Sequence, residues 1–130
     1  MDPTDHASVH VLLVEDEALL REFATENLRE EGFDVHAVAD GEAGLAALES
    51  DAPFDVLLSD IRLPGMSGYE LAEAGKALRP ELKMILMTGY APRLPDALAH
   101  AVHCVLQKPF RIGALSGVIV EAMAGSASAT

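Results

Sequence analysis

This chain of 130 residues is poor in basic residues, in cysteine and in long apolar runs. Only 9 lysines and arginines stand against 21 acidic residues, and the formal charge of -12 argues against direct binding to nucleic-acid phosphates. The single cysteine, Cys104, cannot form a disulfide within the chain. No apolar run approaches the roughly 20 residues that span a bilayer, so we expect no membrane insertion. Because no secretion signal is visible at the N-terminus either, we expect a cytoplasmic protein.

Short apolar runs and segments of helical spacing alternate along the chain. Half of the residues are hydrophobic, which is enough for the core of one ordinary domain. We expect strands at about 9–14, 34–38, 54–59, 83–87 and 103–107, where the apolar runs have the length of buried strands. Helices are expected within 18–33, from the N-cap Asp40 to before Pro53, from the capping box of Ser67 and Glu70 to Arg79, for a short stretch from near Pro95, and through Ile112 to Met123.

Five strand–helix units in succession predict one α/β domain, with a parallel sheet covered by helices on both faces. We expect this domain to span 9–124. Residues 1–8 are expected to be a flexible N-terminus and residues 125–130 a disordered tail.

Polar residues follow four of the five predicted strands: Glu15 and Asp16 the first, Asp60 the third, Thr88 the fourth and Lys108 the fifth. Because ligands of such sheets bind beyond the carboxyl ends of the strands, we expect these side chains to meet at one edge. Three carboxylates so close together would raise one another's pKa unless a divalent cation held them ionised. Only oxygen ligands are present, which favours Mg²⁺ or Mn²⁺ over zinc.

The strings VLLVEDE, LLSDIRLPGMSGYEL, MILMTGY and LQKPF resemble the receiver domain of two-component response regulators, in order and in interval. The resemblance covers about residues 9–124 and implies a flavodoxin-like fold with the strand order 2-1-3-4-5. It implies that Asp60 accepts a phosphoryl group, that Thr88 senses this group, and that Lys108 pairs with it after a cis Lys108–Pro109 peptide. The protein would then promote only its own phosphorylation and dephosphorylation, and would not be an enzyme acting on other substrates.

The resemblance further implies the ligands of the metal and the partners of the protein. Asp16 would bind Mg²⁺ directly, Glu15 would bind it through water, and Asp60 and the backbone carbonyl of Arg62 would complete the protein's share. The phosphoryl donor would be a histidine kinase or a histidine phosphotransfer protein that docks near Asp16. Output would pass through the 89–105 region to a downstream protein, from a monomer or weak dimer resembling single-domain or hybrid-kinase-associated receivers with an atypical fourth helix.

One position departs from the family pattern. Receivers usually carry an aromatic residue three positions before the lysine, and this chain has Val105 there. We therefore hypothesise that Tyr90, or a reordering of residues 89–101, reports phosphorylation instead. The guanidinium of Arg62 is a further candidate to pair with Glu15 or Asp16 when no metal is bound.

Other interpretations remain open for these residues. Taken singly, Glu15 and Asp16 could simply begin a helix, Asp60 and Thr88 could be turn residues, and Lys108 could be a solvated lysine. A degenerate or phosphorylation-independent receiver could act only as a protein-interaction module, although such a module would be expected to have lost part of the site. A phosphatase of the haloacid-dehalogenase type would need a DxD pattern after the first strand, which this chain lacks.

Overall fold

A computed structural model describes residues 9–90 and 94–124 of the chain. The expectations for residues 1–8 and 125–130 lie outside the described residues. The strands are β1 (His10–Val14), β2 (Asp34–Val38), β3 (Val56–Asp60), β4 (Lys83–Thr88) and β5 (Val102–Gln107). The α-helices are α1 (Ala18–Glu30), α2 (Gly41–Glu49), α3 (Gly68–Leu78) and α4 (Ala114–Ala124), and a 3-10 helix covers Asp96–Leu98.

The five strands form one parallel sheet in the order β2-β1-β3-β4-β5, which confirms the predicted fold. Every residue of β3 is buried, as expected of a strand that is covered on both faces. One apolar cluster packs α1 and α4 against the sheet through Leu28, Leu58, Ile85, Leu115 and Ile119. The other packs α2 and α3 through Leu48, Leu57, Leu71, Leu86 and others. The two clusters hold the sheet rigid, and its carboxyl edge carries the polar residues.

The short helix expected from near Pro95 is present, but it is a single 3-10 turn. A 3-10 helix of 3 residues follows Pro95, and the chain enters β5 at Val102. Leu98 is fully buried in the cluster on the α3 side, so this single turn still covers the sheet. The segment between Pro95 and Val102 is too short for a helix of several turns, since an α-helix rises about 1.5 Å per residue and needs several turns to bury a face.

Two strands end one residue later than expected, and this matters for the site. Asp60 and Thr88 are the last residues of β3 and β4 themselves, and do not follow those strands. Asp60 lies opposite Met87, and Thr88 lies opposite Gln107. Both polar side chains are therefore positioned by backbone pairing rather than by a loop.

The start of α3 is built closely against the end of β3. Ser67 and Glu70 form the predicted capping box, in which each side chain accepts the other residue's backbone N–H at 3.2 and 3.0 Å. Gly68 donates its N–H to the carbonyl of Ile61 at 2.8 Å. A Cβ atom at Gly68 would lie 2.7 Å from the Cα of Ile61 and closer still to the carbonyl oxygen of Asp60. The backbone of Asp60 leaves no room for a side chain here.

Replacing Gly68 with alanine is expected to lower the free energy of unfolding by about 1–3 kcal/mol, because the added methyl group collides with rigid backbone. Urea denaturation measures this loss. The matched control is Gly117→Ala in α4, where no neighbouring atom lies within 4 Å of the new Cβ. That change is expected to be neutral or to raise stability by up to about 1 kcal/mol, because glycine is unfavourable inside a helix. Equal effects of the two substitutions would contradict this account of Gly68.

Candidate acidic site at the carboxyl edge of the sheet

The structure brings together four of the five polar side chains that the sequence singled out, and the fifth, Thr88, ends the neighbouring strand β4. Glu15, Asp60 and Thr88 are buried, while Asp16 is exposed. Carboxylate oxygens of Glu15, Asp16 and Asp60 all lie within 4.8 Å of one another. Lys108 extends its Nζ to 2.8 Å from Glu15 Oε1 and to 2.7 Å from Asp60 Oδ2. A single ammonium group therefore bridges the two buried carboxylates.

Glu15 is held by contacts on several sides. Its N–H donates to the carbonyl of Val38 at 3.1 Å, which fixes the chain at the end of β1. Its Oε2 accepts the N–H of Glu17 at 3.0 Å, and its carbonyl accepts Nη1 of Arg21 at 2.9 Å. The carboxylate is thus oriented before any ligand arrives.

Arg21 is a contributor to this site that the sequence did not reveal. It lies near the start of α1, where the helix dipole disfavours a cation. The sequence pattern that could have identified Arg21 is an arginine at such a position, shortly after two acidic residues. Its hydrogen bond to the carbonyl of Glu15 ties the first turns of α1 to the end of β1.

The buried charges shift two pKa values. Burial raises the pKa of Glu15 above its ordinary 4.5, and repulsion from Asp60 adds to this, while hydrogen bonds from Lys108 and from the N–H of Glu17 oppose it. Burial alone would lower the pKa of Lys108, but the hydrogen bonds to Asp60 and Glu15 and the attraction of both carboxylates outweigh it, so this pKa is raised. Lys108 therefore remains charged at neutral pH, and its ammonium group is the cation that the two buried carboxylates share.

Lys108 and Asp60 are each tied to the neighbouring backbone. The N–H of Lys108 donates to the carbonyl of Thr88 at 2.6 Å, and the peptide bond between Lys108 and Pro109 is cis, as the resemblance implied. Asp60 Oδ1 accepts the N–H of Arg62 at 3.1 Å. Thr88 Oγ1 accepts the N–H of Tyr90 at 3.2 Å. The segments after β3, β4 and β5 are thus linked directly to the site.

The expected pairing of Arg62 with Glu15 or Asp16 is not found in residues 9–90 and 94–124. The guanidinium of Arg62 instead lies 5.9 Å from the centre of the Tyr90 ring. The physical reason is competition, because Lys108 already binds the buried oxygens of Glu15 and Asp60. Arg62 is left free to lie over the exposed aromatic ring.

The structure places the remaining predicted residues as follows. Tyr90 follows β4 and is 42% exposed. Val105 lies in β5 and packs, partly buried, against the cluster on the α3 side. Cys104 in the same strand packs, partly buried, against the opposite cluster, and burial raises the pKa of its thiol. Within the part of the chain that the structure describes, no helix is long and apolar enough to cross a bilayer.

Comparison with known proteins agrees with this geometry. The family model of the response regulator receiver domain matches residues 11–120. The response regulator receiver protein CpdR of Brucella abortus is 36% identical over 104 residues, which cover 78% of this chain and 86% of CpdR. The response regulator protein FleR of Pseudomonas aeruginosa is 35% identical over 113 residues, which cover 85% of this chain but only 24% of FleR.

Solved structures give the same result for the fold. The crystal structure of a CheY-like response regulator receiver domain protein from Methanospirillum hungatei superimposes with a TM-score of 0.81 at 31% identity, over 90% of this chain and 94% of that chain. The receiver domain of the hybrid histidine kinase CckA superimposes with a TM-score of 0.76 at 30% identity, over 88% of this chain and 98% of that one. The chain therefore belongs to the family of response regulator receiver domains, the phosphorylation-operated switches of two-component systems.

Proposed function

We propose that Asp60 is the residue of this receiver that accepts the phosphoryl group, and that it does so from a phosphohistidine. The observation that carries the proposal is the contact of Lys108 Nζ with Asp60 Oδ2 at 2.7 Å, in a pocket that holds two further carboxylates. Asp60 is 6% exposed and is the last residue of β3, at the edge of the sheet where ligands of parallel sheets bind. A buried carboxylate paired with a lysine and a neighbouring hydroxyl is suited to phosphoryl transfer.

The transfer is a simple displacement at phosphorus. A carboxylate oxygen of Asp60 forms the new bond to phosphorus, the bond from phosphorus to the imidazole nitrogen of the donor breaks, and its electron pair stays with that nitrogen, which takes up a proton. Nearby cations and hydrogen-bond donors stabilise the negative charge on the three equatorial oxygens of the phosphoryl group. Lys108 supplies the ammonium group and Thr88 the hydroxyl, and both already lie at this strand edge.

The acidic cluster fits a divalent cation of the Mg²⁺ or Mn²⁺ type. Its donors are carboxylate oxygens of Glu15, Asp16 and Asp60, with the backbone carbonyl of Arg62 as a further candidate, and Asp16 is open to water. Hard oxygen ligands, few in number and accessible to water, are those that Mg²⁺ accepts. Such a cation would neutralise charge on the phosphoryl oxygens and on the carboxylates.

Metal binding is expected to strengthen as the pH rises through the raised pKa of Glu15. Below this pKa a proton competes with the cation, so the apparent affinity falls by about tenfold per pH unit for one displaced proton. Titrating the protein with Mg²⁺ at a series of pH values, with amide NMR as the readout, measures the dependence. Glu15→Gln should bind Mg²⁺ more weakly and with a shallower dependence. An affinity of the wild-type protein that does not change across this range would contradict the role given to Glu15.

The surface beside the site suits a helical phosphodonor protein. Leu19 and Phe23 of α1 are 61% and 54% exposed, and they line a groove of about 510 Å³ together with Pro109 and Phe110. An exposed apolar patch next to a reactive group indicates a protein contact. We place the histidine kinase or histidine phosphotransfer protein here, near Asp16 and the start of α1. In this proposal the protein acts in the cytoplasm as a monomer or weak dimer, and its output passes to another protein.

Intact-mass spectrometry with Mg²⁺ and acetyl phosphate as a small phosphodonor tests the proposed function. We expect the protein to gain one phosphoryl group per chain. A protein-interaction module would gain none, and a phosphatase of the haloacid-dehalogenase type would release phosphate continuously from excess substrate. Either of these results would overturn the proposal.

A further inference from the structure

The two tyrosines of the chain both line one groove beside the acidic site. Tyr69 is in the first turn of α3, and Tyr90 follows β4. The groove between them has a volume of about 490 Å³, and Arg62 and Asp16 also line it. Burial raises the pKa of the Tyr69 phenol, and the charge and hydrogen bonding of the Tyr90 phenol raise it further. The two tyrosines are therefore neighbours in one groove.

Tyr90 is connected to the acidic site through two independent contacts. Its N–H donates to Thr88 Oγ1 at 3.2 Å, and its ring lies 5.9 Å from the guanidinium carbon of Arg62. Arg62 in turn donates its backbone N–H to Asp60 Oδ1 at 3.1 Å. A phosphoryl group on Asp60 would take a carboxylate oxygen from Arg62 or would accept a hydrogen bond from the Thr88 hydroxyl, and the second contact would rotate Thr88 Oγ1. Either change alters a contact that holds Tyr90.

The side chain at position 105 of strand β5 is poorly suited to report a change at Thr88. Val105 has no ring and no polar atom, and it packs, partly buried, against the apolar cluster on the α3 side. Thr88 is paired with Gln107 through the strand backbone, whereas its hydroxyl oxygen is bonded to the N–H of Tyr90. Tyr90 is also 42% exposed, so its movement would change the surface of the protein.

We propose that Tyr69 and Tyr90 form a tyrosine relay, which carries the phosphorylation state of Asp60 to the first turn of α3. The relay rests on the proposed function, since Asp60 must accept the phosphoryl group for it to operate. Phosphorylation draws Thr88 Oγ1 and the Arg62 backbone away from their present partners, Tyr90 moves, and the phenol of Tyr69 loses its neighbour. The changed surface is then the rim of the groove between α3 and Tyr90, and not the face of β5.

Tyrosine-selective NMR tests the relay with little ambiguity, because the chain contains only 2 tyrosines. Protein labelled with ¹³C in the tyrosine rings gives one set of ring signals for each, and Tyr69→Phe and Tyr90→Phe assign them. Each protein is recorded with Mg²⁺ before and after addition of acetyl phosphate, and intact mass counts the phosphoryl groups in the same sample.

The relay predicts a directional result. In the wild-type protein both sets of signals shift on phosphorylation. In Tyr69→Phe the Tyr90 signals still shift, because their link to Thr88 and Arg62 is intact. In Tyr90→Phe the shift of the Tyr69 signals falls several-fold, because the phenol that carried the change is gone.

Four results would overturn the relay, and together they separate its failure from a failure of the proposed function. A phosphorylated wild-type protein with unshifted Tyr69 signals, or a full Tyr69 shift in phosphorylated Tyr90→Phe, would exclude the relay and leave the proposed function standing. A Tyr90→Phe protein that gains no phosphoryl group would place Tyr90 in the transfer reaction itself. A wild-type protein that gains no mass would overturn the proposed function and the relay together.

Discussion

Asp60→Asn is expected to lower the rate of phosphoryl uptake from acetyl phosphate by at least about three orders of magnitude, the scale on which loss of a nucleophile acts. The amide has nearly the same shape as the carboxylate but lacks its charge and its nucleophilic oxygen. The other two acids of the cluster are poor substitutes. Glu15 is 1% exposed and is bound by Lys108, and Asp16 is exposed but has no hydrogen bond to Lys108 in the described part of the chain.

The experiment combines intact mass with a check of folding. Asp60→Asn should remain folded, because Lys108 keeps its hydrogen bond to Glu15 and the repulsion between the two buried acids is removed. Asp51→Asn is the matched control, since Asp51 is exposed and precedes β3, at the opposite end of that strand from Asp60, and this variant should take up the phosphoryl group at the wild-type rate. A folded Asp60→Asn protein that still gained one phosphoryl group at the wild-type rate would assign the acceptor to another residue.

Lys108→Met is expected to lower the free energy of unfolding by about 2–3 kcal/mol at neutral pH in the presence of a chelator. Removing one partner of a buried ion pair leaves an uncompensated charge and typically costs about 3–5 kcal/mol, and the partial exposure of Lys108 argues for less. The ammonium group contacts two buried acids, whose side chains are 1% and 8% exposed. Methionine keeps most of the aliphatic chain, so the fall in the free energy of unfolding measures the loss of the charge rather than a loss of packing.

Three comparisons isolate the cause of this loss. Adding Glu15→Gln to Lys108→Met should recover part of the stability, because one of the two unpaired charges is gone. Saturating Mg²⁺ should also narrow the difference from wild type, because bound cation stabilises the folded state. Lys76→Met is the matched control: Lys76 is exposed, its Nζ donates only to the carbonyl of Ala97 at 3.3 Å, and its loss should cost no more than about 0.5 kcal/mol. Equal midpoints in urea for Lys108→Met and wild type would contradict the proposed bridge.

The pH dependence of stability has a definite sign at both groups. The pKa of Lys108 is raised on folding, so its contribution is fully present below its ordinary pKa of 10.5 and is lost as the pH rises through the raised value. The pKa of Glu15 is also raised, so in a chelator stability falls as the pH rises from 4.5 through the raised value. Mg²⁺ opposes this second loss, because it binds the ionised form.

Much of the fold and site could be predicted from local pattern. The continuous apolar run before Asp60 has the composition of a strand buried on both faces, and the capping box of Ser67 and Glu70 marks the start of α3. Because parallel strands place their carboxyl ends at one edge, the convergence of Glu15, Asp60 and Lys108 followed from the order of elements alone.

The errors have physical reasons that sequence pattern does not contain. Arg62 and Lys108 are both cations near the same acids, and only the three-dimensional paths of their side chains decide that Lys108 binds the acids while Arg62 lies over Tyr90. The segment around Pro95 is short and begins at a proline, so its sequence did not distinguish a single 3-10 turn from a short α-helix. Tyr69 resembles any other residue of an amphipathic helix, and its place in the same groove as Tyr90 emerges only from the fold.

The most direct test of the central claim is the amide NMR spectrum of the full chain with Mg²⁺, before and after addition of beryllofluoride, a mimic of the phosphoryl group on aspartate. The account predicts that Mg²⁺ shifts the signals of Asp16 and Asp60, and that beryllofluoride then shifts those of Thr88, Lys108 and Tyr90. Spectra that respond to neither addition, or that respond only at residues remote from this edge of the sheet, would contradict the proposed phosphoacceptor site.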